Sequence, residues 1–184
     1  MLSRVRAALA QSPPAALDEA DAQADAARAA MRQFLPPTGD TFEQKLELFR
    51  ARSAELKTDF QLLAGPAEIA ARLQALASAE GWKKVATYPG ELTDPACVSL
   101  GLEVLRTDGP YEKAALESCD AAVTQCDALV AQTGSVLVTS RSTGGRALTV
   151  LPPHHVVLAR REQLLGGLVD AFAMLKAACA DNWP

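Results

Sequence analysis

The fold of this chain is decided by residues 120–159, which read DAAVTQCDALVAQTGSVLVTSRSTGGRALTVLPPHHVVLA. Four short apolar runs occur in this stretch, at 121–123, 128–131, 136–138 and 156–159. Their apolar residues are continuous rather than alternating, which is typical of strands covered on both faces. The stretch therefore predicts several short buried strands joined by polar and glycine-containing breaks.

Helical patterns alternate with further strand-like runs outside this stretch. Thr41, followed three residues later by Gln44, predicts a capping box that opens a helix. The alternation predicts an α/β fold with a mostly parallel central sheet flanked by helices. Helices are predicted at 41–54, 66–80, 111–118 and 162–179. The last helix has Leu165, Leu168, Phe172 and Leu175 on one side. Further strands are predicted at 60–63, 82–87 and 102–105, and residues 89–101 fit no regular element.

The first forty residues differ in composition from the rest. Residues 15–32 are rich in alanine with interspersed charges, which predicts a helix with a weak apolar stripe. Such a helix packs on the edge of a domain or on a partner. We therefore divide the chain into an N-terminal helical segment, 1–40, and an α/β domain, 41–184.

Composition excludes several function classes. The chain has 184 residues, 49% of them hydrophobic, which suffices for a buried core. A formal net charge of −4 and scattered basic residues argue against nucleic-acid binding. No run of about 18 apolar residues and no secretory leader is present, so the sequence predicts a cytoplasmic protein without a membrane span.

The order of motifs in 120–159 resembles the LUD domain family, in its stand-alone lactate utilization protein C type. The resemblance rests on Thr124, the apolar run 128–131, the Thr133-Gly134-Ser135 turn, Gly145-Arg146, and Leu151-Pro152-Pro153 leading to His155. There are two departures from the family pattern. Gln132 stands where the family has glutamate, and the chain ends at 181–184, before the family's closing segment and last strand.

A candidate anion site follows from two of these motifs. Gly134 permits a positive φ, and the hydroxyls and N–H groups of Thr133 and Ser135 can bind an anion. Arg146, after Gly145, adds a planar guanidinium group that can form two parallel hydrogen bonds to a carboxylate or phosphate. The alternative is that the first motif is a tight β-turn and the second a mobile surface loop.

The histidines and cysteines give no metal site. His154 and His155 are adjacent, so on a strand they point to opposite faces and cannot share one metal. His155 is the binding candidate by family position, and the alternative is a hydrogen-bonded structural histidine. Cys119 and Cys126 lack the spacing of zinc or iron–sulfur ligands. The sequence thus predicts no metal, no cofactor and no catalytic residue.

The resemblance implies a fold like that of sugar-phosphate isomerases, CoA transferases and 5-formyltetrahydrofolate cyclo-ligases. It implies a cluster-free accessory subunit of a cytosolic system that oxidises L-lactate to pyruvate, in which iron–sulfur partner proteins carry the electrons. The alternative is an enzyme or binding protein of the CoA-transferase-like fold for an acyl, carboxylate or phosphorylated ligand, although Gln132 cannot be the glutamate nucleophile of a transferase. A third hypothesis is an interaction module whose N-terminal helices bind a partner.

Overall fold

The computed structural model describes residues 22–24, 26 and 37–179 of the chain. The chain divides into two units, Met1–Pro37 and Thr38–Pro184. In the first unit, residues 22–24 and 26 are helical, and the rest of the predicted helix 15–32 lies outside the described residues. The division of the chain into 1–40 and 41–184 stays a prediction.

The second unit alternates helices and short strands along most of its length. Its helices are α1 (Phe42–Glu55), α2 (Pro66–Glu80), α3 (Thr93–Leu100), α4 (Lys113–Glu117), α5 (Ser140–Thr143) and α6 (Leu168–Cys179), with 3-10 turns at Ala147–Thr149 and Arg161–Gln163. Its strands are β1 (Lys84–Thr87), β2 (Glu103–Arg106), β3 (Ala121–Gln125), β4 (Ala128–Val130), β5 (Ser135–Leu137), β6 (His154–Leu158) and β7 (Leu164–Leu165).

Four strands form a parallel sheet in the order β2-β1-β3-β6. α2 and α3 cover one face, where Leu73 and Cys97 pack with Val85 and Val123 of the sheet. The other face is covered by α4 and the 3-10 turn Ala147–Thr149. The side chains buried there are Leu116, Cys119 and Leu148, against Ala86 and Ala122. The predicted parallel sheet with helices on both faces is therefore confirmed.

The remaining strands form a second, smaller sheet in the order β5-β4-β7. β4 and β5 are an antiparallel hairpin, while β7 runs parallel to β4. α1 packs on this sheet through Phe49, which is buried with Ala131 and Leu164. The sequence predicted β4 and β5 as part of one central sheet and placed the residues of β7 in the last helix, because an apolar run does not show which neighbour it pairs with.

Local sequence signals set several helix ends as predicted. Thr41 and Gln44 form the capping box of α1, with the Gln44 N–H donating to Thr41 Oγ1 at 3.2 Å. Pro66 begins α2, and Gly81 ends it in the left-handed conformation at φ 70°. These ends depend on contacts within a few residues, which explains why sequence alone predicts them.

Residues 60–63 are not a strand, and this prediction was wrong. They form neither helix nor strand and pair with no strand of the described residues. The Phe60 ring instead packs edge-on against Phe49, with ring centroids 5.1 Å apart. An apolar run alone does not distinguish a strand from an irregular segment that places one aromatic side chain in the core.

The last helix begins six residues later than predicted. Leu164–Leu165 forms β7, which pairs with β4. Gly166 and Gly167 then separate β7 from the start of α6. Of the predicted apolar side, Leu175 is buried as predicted, but Leu168 and Phe172 are 43% and 59% exposed, and Ala171 is buried instead. The later start changes which residues face the core. Similarly, residues 89–101, which fitted no regular element, contain α3.

No helix in the described residues is long and apolar enough to cross a membrane.

Candidate functional site

The parallel sheet has a topological switch point between β1 and β3, since the chain proceeds from β1 to β2 on one side and to β3 on the other. Ligands of open α/β sheets bind outside the carboxyl ends of the strands at such a point. Thr87 Oγ1 donates to the Val123 carbonyl at 2.8 Å, and Gln125 Oε1 accepts from the Leu92 N–H at 2.6 Å. These bonds tie the loop after β1 to the end of β3.

His155 lies on the outer strand β6, next to β3. Its Nε2 is 2.8 Å from the hydroxyl of Thr124, and Thr124 is fully buried. The register pairs His155 with Ala122, and Thr124 is two residues further along β3, so all three side chains share one face. The side chains of His154 and His155 point to opposite faces of the sheet, as predicted. The His154 ring lies 5.5 Å from the ring of Trp82, which packs on the other face.

Two features of its surroundings act on the His155 ring, a hydrogen bond and burial. His155 is the partner of the Thr124 hydroxyl among the described residues. The bond holds the imidazole against Thr124 in either tautomer, since the hydroxyl and Nε2 can each donate or accept. Although His155 is exposed as a residue, partial burial of the imidazole lowers its pKa below the ordinary 6.5. Burial therefore favours the neutral form of the ring over the imidazolium.

Residues 139–151, which we name the covering loop, lie over the same face. Leu148 of this loop is 2% exposed and packs with Ala122, the register partner of His155. Gly144 has φ 66°, and a side chain there would collide with the Tyr88 ring. Ser142 Oγ donates to Asp127 Oδ2 at 2.7 Å, which fastens the start of the loop to the second sheet. The loop is thus held against the sheet at several points.

Gly145 and Arg146 lie in the middle of the covering loop. A Cβ at Gly145 would meet nothing within 4 Å, so there is open space beside it. Arg146 is exposed and precedes the 3-10 turn. The ion pairs of the described residues do not include Arg146, and its guanidinium can therefore bind an anion from solution.

The Thr133-Gly134-Ser135 turn belongs to the second sheet. Gly134 has the predicted positive φ, 66°, but the backbone that it approaches is that of α1, at Arg52 and Ser53. Thr133 Oγ1 is buried without a hydrogen-bond partner, and Ser135 begins β5 opposite Val130. No hydrogen bond within residues 37–179 joins this turn to Arg146 or His155. A single pocket containing all these residues stays a prediction.

Gln132 lies at the end of β4, next to the start of α6. Its N–H donates to the Gly166 carbonyl at 3.0 Å, and its amide oxygen lies beside Gly167. At the same place, Asp170 accepts from the Gly167 N–H at 3.0 Å and caps α6. The position that holds glutamate in the family thus belongs, in this chain, to the packing between the second sheet and α6.

The four cysteines are buried free thiols. Burial raises the pKa of Cys97 and Cys119, and it raises the pKa of Cys126 to about 12. A thiol binds metal as thiolate, so these pKa shifts disfavour ligation. Among the described residues no group of three or more His, Cys, Asp and Glu could hold a metal ion.

Sequence reasoning gave Thr124 no role of its own and left out Tyr88. Tyr88 follows β1 directly, and continuing the register of β1 and β3 places it beside Thr124. Thr124 is the polar residue that follows the apolar run 121–123, and Tyr88 directly follows β1; these positions were the signal that could have identified them. Their neighbourhood depends on strand order, which the sequence does not give.

The lowered pKa of His155 makes the stability of the domain depend on pH. Below about pH 6.5 the unfolded chain takes up a proton at this site before the folded chain does. The free energy of unfolding should therefore fall as the pH falls through this region, and stop falling below the folded pKa. Measured by urea unfolding across this pH range, the free energy of unfolding of His155→Gln should depend less on pH than that of the wild type. An equal pH dependence in the two proteins would contradict the assignment.

Comparisons with known proteins agree with this fold. Residues 108–183 match the model of the LUD domain. A curated relative, lactate utilization protein C of Deinococcus radiodurans, is 26% identical over 111 residues, covering 60% of this chain and 52% of that protein. This chain thus spans about half the length of that relative. The resemblance to the LUD family, which was predicted from the motifs in residues 120–159, is confirmed.

A solved structure shows the same architecture. The crystal structure of a DUF162 family protein from Deinococcus radiodurans matches with a TM-score of 0.68 at 24% identity. The match covers 79% of this chain and 87% of the other. At this level of identity the likeness shows the fold.

Proposed function

Because residues 108–183 match the model of the LUD domain, we propose that the chain serves in the utilization of lactate, as a component without a metal cluster of its own. The observation that carries the proposal is the 26% identity to a lactate utilization protein C over 111 residues. In this proposal, partner iron–sulfur proteins in the cytoplasm carry electrons from L-lactate as it becomes pyruvate.

The positions and pKa shifts of the cysteines support a role in which a partner protein, and not this chain, carries the electrons. Electron transfer through a cluster needs several thiolates converging on one site. Cys97 packs on one face of the parallel sheet and Cys119 on the other, so the sheet separates them. Their raised pKa values favour the protonated thiol. The electron carrier would therefore be a partner protein.

A growth experiment tests the role in lactate utilization. Deleting the gene should abolish growth on L-lactate as carbon source and leave growth on pyruvate unchanged, because pyruvate enters metabolism after the oxidation. A plasmid copy of the wild-type gene should restore growth on L-lactate. Equal growth of the deletion strain on both carbon sources would overturn the proposal.

The partner is tested separately. The tagged chain, purified from lactate-grown cells, should bring with it proteins that contain iron and acid-labile sulfide. The same preparation from pyruvate-grown cells gives the background. If no iron–sulfur protein is recovered above this background, the proposed partners are wrong. A growth defect on L-lactate would then need another explanation.

A second candidate is a small-molecule binding protein of the same fold, favoured by one observation. His155 lies on the face of the sheet that the covering loop covers, and this loop carries the exposed Arg146. The two candidates are compatible, since a component of a lactate system can bind its substrate or product. CoA-transferase chemistry is disfavoured because the amide of Gln132 is not a nucleophile.

A further inference from the structure

The last helix, α6, is apolar on two opposite sides. Its inner side contacts strands β4 and β7 of the second sheet, and Ala171, Leu175 and Cys179 are buried. These three residues lie four positions apart, so they form one stripe along the helix. A helix that covers one side of a domain usually carries polar residues on its other side, and α6 departs from this pattern.

The opposite side, which we name the outer face of α6, is formed by Val169, Phe172, Ala173, Lys176 and Ala177. Val169 and Phe172 are 46% and 59% exposed, and the other three are exposed as well. Their spacing of three and four residues makes them neighbours on the helix surface. Contiguous exposed apolar side chains are typical of a surface that binds another protein. The outer face therefore has the composition of an interface.

The outer face has one charge of each sign towards its ends. Asp170 lies in the first turn of α6 and Lys176 in the last turn. Asp170 Oδ2 accepts from the Gly167 N–H, yet neither Asp170 nor Lys176 belongs to an ion pair of the described residues. Both side chains are exposed, so their charges are available to a partner.

This arrangement of charges is self-complementary. Asp170 and Lys176 each lie three residues from Ala173, in opposite directions along the helix. A two-fold axis beside Ala173 therefore sets two copies of α6 antiparallel and brings Asp170 of each copy to the level of Lys176 of the other. The small side chain of Ala173 at the centre permits the usual interaxial distance of about 8–10 Å.

We propose that two copies of this chain associate through the outer face of α6, as an antiparallel helix pair with two-fold symmetry. Val169 and Phe172 of each copy are covered by the other, and the two ion pairs select the antiparallel arrangement. A parallel pair would set like charges side by side, which disfavours it. One helix from each copy makes a small interface, so we expect a weak dimer with a Kd in the micromolar range, about 10–100 μM.

Sedimentation velocity of the full chain, from about 2 to 500 μM in reducing buffer, tests the proposal over this range. We expect the sedimentation coefficient to rise from that of a monomer towards that of a dimer. Phe172→Glu should raise the dimer Kd at least about tenfold, because it would bury a charge against apolar side chains. A monomer at every concentration would overturn the proposal.

Val98→Glu is the matched control for Phe172→Glu. Val98 lies on α3 and is 81% exposed, so the new charge there is solvated and the dimer Kd should stay unchanged. Equal dimerisation of Phe172→Glu and the wild type would overturn the proposed surface. A similar loss of dimerisation in both variants would likewise overturn it, because added negative charge alone would then explain the effect.

Charge reversal tests the antiparallel arrangement. Lys176→Glu and Asp170→Lys should each raise the dimer Kd by about threefold or more, since like charges would then face each other. A mixture of the two variants should associate more strongly than either alone, because each acidic side chain again meets a basic one. The advantage of the mixture should shrink at about 1 M salt, where charges are screened within about 3 Å.

Asp170→Asn separates the charge of this residue from its capping role. Asparagine can also accept at a helix start, so this variant should keep α6 folded, as measured by circular dichroism, and still weaken the dimer. A mixture of Lys176→Glu and Asp170→Lys that associates no better than either variant alone would overturn the antiparallel pair. An unchanged dimer Kd in Asp170→Asn would contradict the ion pair with Lys176.

Discussion

Replacing Gly134 with alanine should lower the free energy of unfolding by about 2–4 kcal/mol, from backbone strain of about 1 kcal/mol and overpacking of about 1–3 kcal/mol. Gly134 has φ 66°, which side-chain-bearing residues rarely adopt. The added Cβ would lie 2.8 Å from the Cβ and 3.0 Å from the carbonyl carbon of Arg52, and 3.1 Å from the nitrogen of Ser53. These atoms belong to α1, whose backbone cannot move aside locally.

Gly101→Ala is the matched control for this substitution. Gly101 has φ 64°, and a Cβ there would meet nothing within 4 Å. This variant therefore reports the strain alone, with an expected loss of about 1 kcal/mol. Urea unfolding measures both. Equal losses in the two variants would show that α1 does not pack on the Thr133-Gly134-Ser135 turn as described.

Leu148→Ala should lower the free energy of unfolding by about 2–5 kcal/mol, because it leaves a cavity in a packed layer. Leu148 is 2% exposed and holds the covering loop against Ala86 and Ala122. Its loss should also raise the rate of amide hydrogen exchange in the loop.

Val150→Ala is the control for Leu148→Ala within the same loop. Val150 is 72% exposed, so its truncation should change the stability by less than about 0.5 kcal/mol. Denaturant unfolding and hydrogen exchange measure the pair. A small effect of Leu148→Ala on both would show that the covering loop is not anchored by this side chain.

The sequence by itself determined the features that depend on near neighbours in the chain. The capping box at Thr41, the Pro66 start and the Gly81 end of α2, and the positive φ of Gly134 all follow from local backbone chemistry. Most strands were predicted from apolar runs, since burial on two faces leaves that pattern. The family resemblance followed from the order of motifs in 120–159.

Only the tertiary structure decided which of these elements meet. Pairing between strands is made by backbone groups that every residue carries, so the sequence pattern does not say that β4, β5 and β7 leave the main sheet. For the same reason it could not show that Gly134 contacts α1, whereas Thr124 bonds His155 across thirty-one positions of sequence. The stretch 120–159 thus predicted the candidate residues, and strand order divided them between two sheets.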